Sequence, residues 1–179
     1  MERLNNMSYD LKIETTILSN KLPGGEIAID QIKDHIDVFK NLSPFYVEGI
    51  IIICDSSQKV EMNGYIGSLW QQVITALDDL SECEVTVFHC PAEVSARHMR
   101  NDNTHSVLWS VQGFGSVEYD FNEFAHALLD AAQVFFSTVT DNLSFLTLCQ
   151  SDDDFASYGS YNYSYVLDYL NEVKAKYDN

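Results

Sequence analysis

Five histidines, four cysteines and 27 carboxylates are the side chains from which a reactive centre could be assembled in this 179-residue chain, and their spacing decides what chemistry is open to them. Nucleophilic catalysis needs a Ser, Cys or Thr beside an oriented base, usually announced by a glycine elbow or a Cys/His signature. Neither pattern occurs here. The glycines form no GxGxxG and no phosphate loop; Gly113-Phe114-Gly115 lacks the third glycine and precedes an extended run, which makes it a bend. For a metal, His98 and His105 flank one hairpin, with His89 and Cys90 just upstream. A closed metal site needs ligands that converge. In a hairpin turning near Asp102 and Asn103, His98 falls opposite Val107 and His105 opposite Arg100, so the imidazoles are not directly opposed. We therefore expect no catalytic residues, no metal and no cofactor, and read these histidines as partly exposed strand residues. Arg97, His98 and Arg100 form a local cationic group that either binds an anion or pairs with nearby carboxylates, and the pairing is what exposed hairpin charges usually do. If the chain is instead a small ligand-binding or metal-dependent enzyme domain, the hairpin over residues 93–112 is where its site belongs.

Carboxylates are so frequent that pairs arise by coincidence: Asp78-Asp79 and Glu82-x-Glu84 read as solvated surface. Residues 151–164 (SDDDFASYGSYNYS) differ in kind, since a loop of this length inside a compact domain tends to be functional or mobile. High-affinity interfaces are anchored by aromatic residues ringed by complementary charge. Here Tyr158, Tyr161 and Tyr163 alternate with Ser, Gly and Asn beside Asp152, Asp153 and Asp154, which would steer a basic partner. Those six residues are the expected partner-binding surface. The competing reading is that the tyrosines pack back on the sheet while the aspartates solvate the loop.

The elements that must hold such a surface follow from hydrophobic periodicity. Residues 9–19 alternate as a half-buried strand; residues 26–29 make a short second strand before Asp30 caps a helix to about residue 42. Residues 45–54 (FYVEGIIIIC) are a β-branched run that reads as a central strand covered on both faces, and 59–62 as its short return. Residues 66–80 place Ile66, Leu69, Val73, Leu77 and Leu80 on one helical face. Extended runs follow at 83–90, 93–100, 105–112 and 115–120. Asp120 then stands at an N-cap, with Glu123 three residues on, so a strand runs straight into the longest helix, residues 121–139. That helix carries Phe121, Phe124, Leu128, Ala132, Phe135 and Val139 on one stripe. Residues 142–149 are a short apolar element, and a last helix holds Val166, Leu170, Val173 and Tyr177. No internal repeat and no linker composition is visible.

A chain of this length is expected to form one domain, residues 1–179, with a real core, since apolar residues make up 46% of it. The longest apolar run is strand-length, far below a membrane span, and MERLNNMSYD lacks a signal-peptide core, so a cytoplasmic location is expected. The cysteines show no CxxC and read as buried thiols in a reducing compartment. A net charge of −17 repels nucleic-acid phosphates and anionic membranes and attracts basic proteins. The expected fold is α+β: one mixed or mainly antiparallel sheet of about five to six strands, helices packed mainly on one face. In layout and charge, with VEYDFNEFAHALLDAAQVFF making the strand-to-helix join, the chain resembles the immunity proteins of bacterial toxin systems, including contact-dependent growth inhibition. The resemblance implies a non-catalytic protein that binds and neutralises a cognate toxin domain, often a basic nuclease, its acidic side chains standing in for substrate phosphates.

Overall fold

Alternation and β-branching build eight strands, which a computed structural model, describing residues 10–39, 47–101, 104–142 and 163–178, arranges in two antiparallel sheets of four. In chain order these are β1 (Lys12–Leu18), β2 (Glu26–Ala28), β3 (Glu48–Cys54), β4 (Lys59–Tyr65), β5 (Val85–Cys90), β6 (Ala92–Asn101), β7 (Thr104–Val111) and β8 (Gly115–Asp120). The helices are the single turn α1 (Ile36–Phe39), then α2 (Ile66–Glu82), α3 (Phe121–Asn142) and α4 (Tyr163–Tyr177). The first sheet has the order β2-β1-β3-β4 and the second β5-β6-β7-β8.

Each sheet buries one face. In the first, Thr15, Ile17, Ile51, Ile53, Val60 and Met62 point inward; in the second, Val94, Ala96, Val107, Trp109, Val117 and Tyr119 do. The two helices that follow the sheets each touch both of them. α2 lies on β3 and β4 and on β5 and β6, while α3 lies on β7 and β8 and reaches β1. Their apolar stripes therefore close one continuous core, with Trp70 of α2 stacked on Phe135 of α3 at 6.2 Å and Trp109 of β7 against Phe124 of α3 at 5.4 Å. α4 completes the helical layer by burying Val166, Leu170 and Val173.

Both sheets end the same way: β4 passes into α2 at Tyr65/Ile66, and β8 into α3 at Asp120/Phe121, with no loop between. The chemistry of the two joins differs. At the second, the Asp120 carboxylate accepts from the N–H groups of Asn122 and Glu123 at 3.0 and 3.1 Å, the forward half of the expected capping box. At the first, the backbone does the work: Ile66 N–H donates to the Val47 carbonyl at 2.9 Å, and no side chain caps the helix. Gly49 is required there, because a Cβ would lie 2.6 Å from the Thr16 carbonyl oxygen and 2.9 Å from Ile66 Cβ.

Several expectations need correction. Eight strands in two sheets replace one sheet of five to six. Each extended segment reads correctly by itself, but the helix that leaves β4 carries the chain away and a second sheet starts. β3 is not covered on both faces: Ile51 and Ile53 are buried, whereas Ile50 and Ile52 are half-buried, Ile52 between Glu14 and Glu61 and Ile50 between Thr16 and Asn63 on the neighbouring strands. Its return strand does not stop at Met62 but continues through Asn63-Gly64 to Tyr65. Residues 29–35 form a 3-10 helix that begins at Ile29, so Asp30 lies inside it rather than capping it, and among the described residues the segment is α-helical from Ile36 to Phe39. The cysteines are not uniformly buried: Cys90 is, Cys54 is half-buried and Cys83 is exposed.

Candidate functional site

The hairpin β6–β7 has the register expected of it, with His98 opposite Val107 and Arg100 opposite His105. Alternation places His98, Arg100 and His105 on the inward face, at the end of the sheet where α2 stops and α3 begins. The two histidines have different fates. His105 is exposed, as read, but His98 is 6% exposed and its ring lies flat on Phe121, 3.8 Å between centroids and 10° between planes. Its Nδ1 stands 3.4 Å from the Leu80 carbonyl oxygen, one of the last four carbonyls of α2, which have no partner within the helix. Only a donor can satisfy that oxygen, so the neutral ring carries its proton on Nδ1, and the guanidinium of Arg100, 3.5 Å from the same nitrogen, is a neighbour rather than a bonded partner. Burial holds the imidazole below its ordinary value; the Leu80 carbonyl and Glu84 oppose this, and Arg100 and His105 add to it. His98 Nε2 is buried without a partner among the described residues. The rings of His98 and His105 are 5.8 Å apart, and no group of three metal-ligating side chains occurs among the described residues.

The expected pairing of the hairpin arginines is not seen. Among the described residues no carboxylate lies within ion-pair distance of Arg97 or Arg100. Lys59 pairs with Glu61, Lys174 with Asp130 at 2.7 Å and Lys176 with Asp78. Asp78, read as solvated surface, is a node that holds α4: it also accepts from the Tyr169 hydroxyl at 3.0 Å, while the Tyr177 hydroxyl donates to the Leu77 carbonyl at 2.8 Å. Burial pushes the Tyr169 hydroxyl up to about 12 and raises that of Tyr177 further.

Of the expected partner-binding residues, Asp152, Asp153, Asp154, Tyr158 and Tyr161 lie outside the described residues. Tyr163 is the first residue of α4 rather than part of a loop.

A surface feature that periodicity does not announce runs along α2. Its outward side and the margin of β5 enclose two adjoining grooves of about 250 and 310 Å³, which share Gln72. The first is lined by Thr75 and Asp79 of α2 and by Thr86 and Val87 of β5; the second by Tyr65, Ser68, His89 and Pro91, with Glu48 at its far end. Cys90 lines the second groove, and burial pushes its thiol up, which keeps it unreactive. The alternation of residues 83–90 is legible in the sequence; which face is buried is not. Val85 and Val87 are 46% and 50% exposed, while Phe88 turns inward to meet Trp109 at 5.9 Å.

No family model, no curated protein and no solved structure matches this chain. Among the described residues no helix is long and apolar enough to cross a membrane.

Proposed function

We propose that this protein is a non-catalytic neutralising partner, acting in the cytoplasm, that binds a basic toxin domain in the manner of bacterial immunity proteins. The observation that carries the reading is charge. The chain has 27 carboxylates against ten Lys and Arg, and among the described residues three of those cations are engaged by carboxylates of the same chain. The excess of negative charge is therefore left facing solvent, where it accelerates encounter with a cationic surface and disfavours nucleic acid. Asp79, Glu82 and Glu84 gather exposed carboxylates at the corner between α2 and β5, and Asp152, Asp153 and Asp154 are proposed from the sequence as contacts for the same partner. The test is co-purification with the product of the adjacent reading frame, followed by titration in rising NaCl. A tight complex that weakens with salt is expected; no complex at low salt would sink the reading.

A further inference from the structure

We infer that the free margin of β5 is a docking edge that takes an extended, basic segment of a partner protein as a fifth strand of the second sheet. This rests on the reading above only for the partner's charge. The edge itself is defined by hydrogen-bond geometry. In an antiparallel pair, successive residues turn their N–H and C=O alternately toward the partner strand and away from it. The Glu84 carbonyl accepts from His98 N–H at 2.9 Å, and Thr86 and Phe88 keep that phase opposite Ala96 and Val94. Val85, Val87 and His89 consequently turn their backbone groups outward, and no described residue takes them up. The other sheet margins differ: β2 has three residues, and β4 lies against β8 and β7 and, near Gly64, against the Cys90 end of β5, so the open length of β5 is its Val85–Val87 part. An exposed strand margin is ordinarily blunted by Lys, Pro or a bulge, and VTVFHC contains none of these.

The groove matches an extended chain in length. From Ser68 to Asp79, α2 runs about 16 Å at 1.5 Å per residue, and the six residues of β5 span about 20 Å at 3.3 Å each. Alternate side chains of an added strand would point to different surroundings. Those on the α2 side meet Gln72, Thr75 and Asp79, with Glu48 lining the far end of the second groove and the exposed Glu84 just ahead of β5, which selects Lys or Arg. Those on the opposite side lie beside the exposed Val85 and Val87, with Arg97 across from Val85 and Glu93 across from His89, which selects apolar residues beside the valines and disfavours a cation next to Arg97. The occupant is therefore an alternating apolar and basic strand, recognised by its backbone along β5 and by its charge along α2.

The test uses the whole protein, ¹⁵N-labelled, and the capped peptide Ac-VKVKVK-NH₂ at millimolar concentration. Binding should slow amide exchange at Val85, Val87 and His89. A peptide N-methylated at alternate residues, or Ac-VEVEVE-NH₂, should bind at least tenfold more weakly. Val87→Pro removes an outward N–H and no ladder bond to β6 and should abolish the protection, and Val85→Lys, which leaves every backbone N–H in place, should weaken binding of the lysine peptide. Binding indifferent to N-methylation and to both substitutions, or protection confined to another strand, overturns the inference. A basic partner that binds Val87→Pro as tightly as the native chain sinks the docking edge and leaves the neutralising function standing; peptide addition to β5 without any salt-sensitive protein partner does the reverse.

Discussion

His98 shows how a residue with the chemistry of a ligand is taken up by structure. It closes an open carbonyl of α2 through Nδ1 and stacks on the first residue of α3, so it joins three elements while staying neutral. Its pairing opposite Val107 is legible in the hairpin, but its burial is not, because burial is supplied by Phe121 and the end of α2, which reach it only through the tertiary fold. A consequence is acid sensitivity. The folded value lies below the ordinary 6.5, so the unfolded chain takes up this proton first. The contribution to stability is whole above the unfolded value and is lost as pH falls from about 6.5 through the folded value. Urea midpoints should fall between pH 7.5 and 5.5 in the native chain and fall less in His98→Phe, which cannot protonate and keeps the stack on Phe121. An equal fall in both would assign the loss to groups other than His98. Thr15 offers a second residue-level test. Trp70 is fully buried and donates from Nε1 to Thr15 Oγ1 at 3.2 Å. Thr15→Val keeps the shape and strands the indole donor, so it should cost about 1–3 kcal/mol in chemical denaturation.

Between residues and the whole lie the joins, where strand becomes helix without a loop. The Asp120 join is legible because its chemistry is local: a carboxylate, then Glu123, then an apolar stripe of helical period. Asp120→Ala should lower stability by about 1 kcal/mol, the usual worth of such a cap. The Tyr65 join is not legible as such, since its support comes from Val47 and from Gly49 of a different strand. Gly49→Ala should cost about 1–3 kcal/mol or more, because the atoms that the new Cβ would meet, the Thr16 carbonyl oxygen and Cβ and Cγ1 of Ile66, belong to packed elements and none is a flexible tip. Denaturant midpoints of the two variants check the order, with Gly49→Ala the less stable. The same distinction explains the sheet count. Alternation identifies a strand from its own residues, and eight such segments can be read, but which strands pair is settled by α2 and α3 bridging two sheets. The 3-10 turns at residues 29–35 were hidden for a related reason. Ile29 and Ile32 fit a three-residue period as well as a helical one, and both are buried.

For the molecule as a whole, charge acts on stability and on binding with opposite sign, which separates the proposed function from mere solubility. A net charge of −17 over 179 residues makes the folded chain repel itself, because folding brings carboxylates closer than the extended chain holds them. The ion pairs that offset this are exposed on at least one side, as with Lys174–Asp130 and Lys176–Asp78, and exposed pairs contribute about 0–1 kcal/mol each. Raising NaCl from 20 to 300 mM shortens the screening length to well under about 10 Å. It weakens the many long-range repulsions more than these few short contacts. The melting temperature of the free protein should therefore rise with salt. Binding to a basic toxin domain should weaken over the same range, since there the long-range interaction is attractive. Calorimetric melts of the free protein and titrations of the complex, made in the same two buffers, test both signs. A melting temperature that falls with salt would mean that the ion pairs outweigh the repulsion. A complex whose affinity ignores salt would mean that its partner is held by apolar contact, such as Val85 and Val87 provide on β5, rather than by the acidic surface.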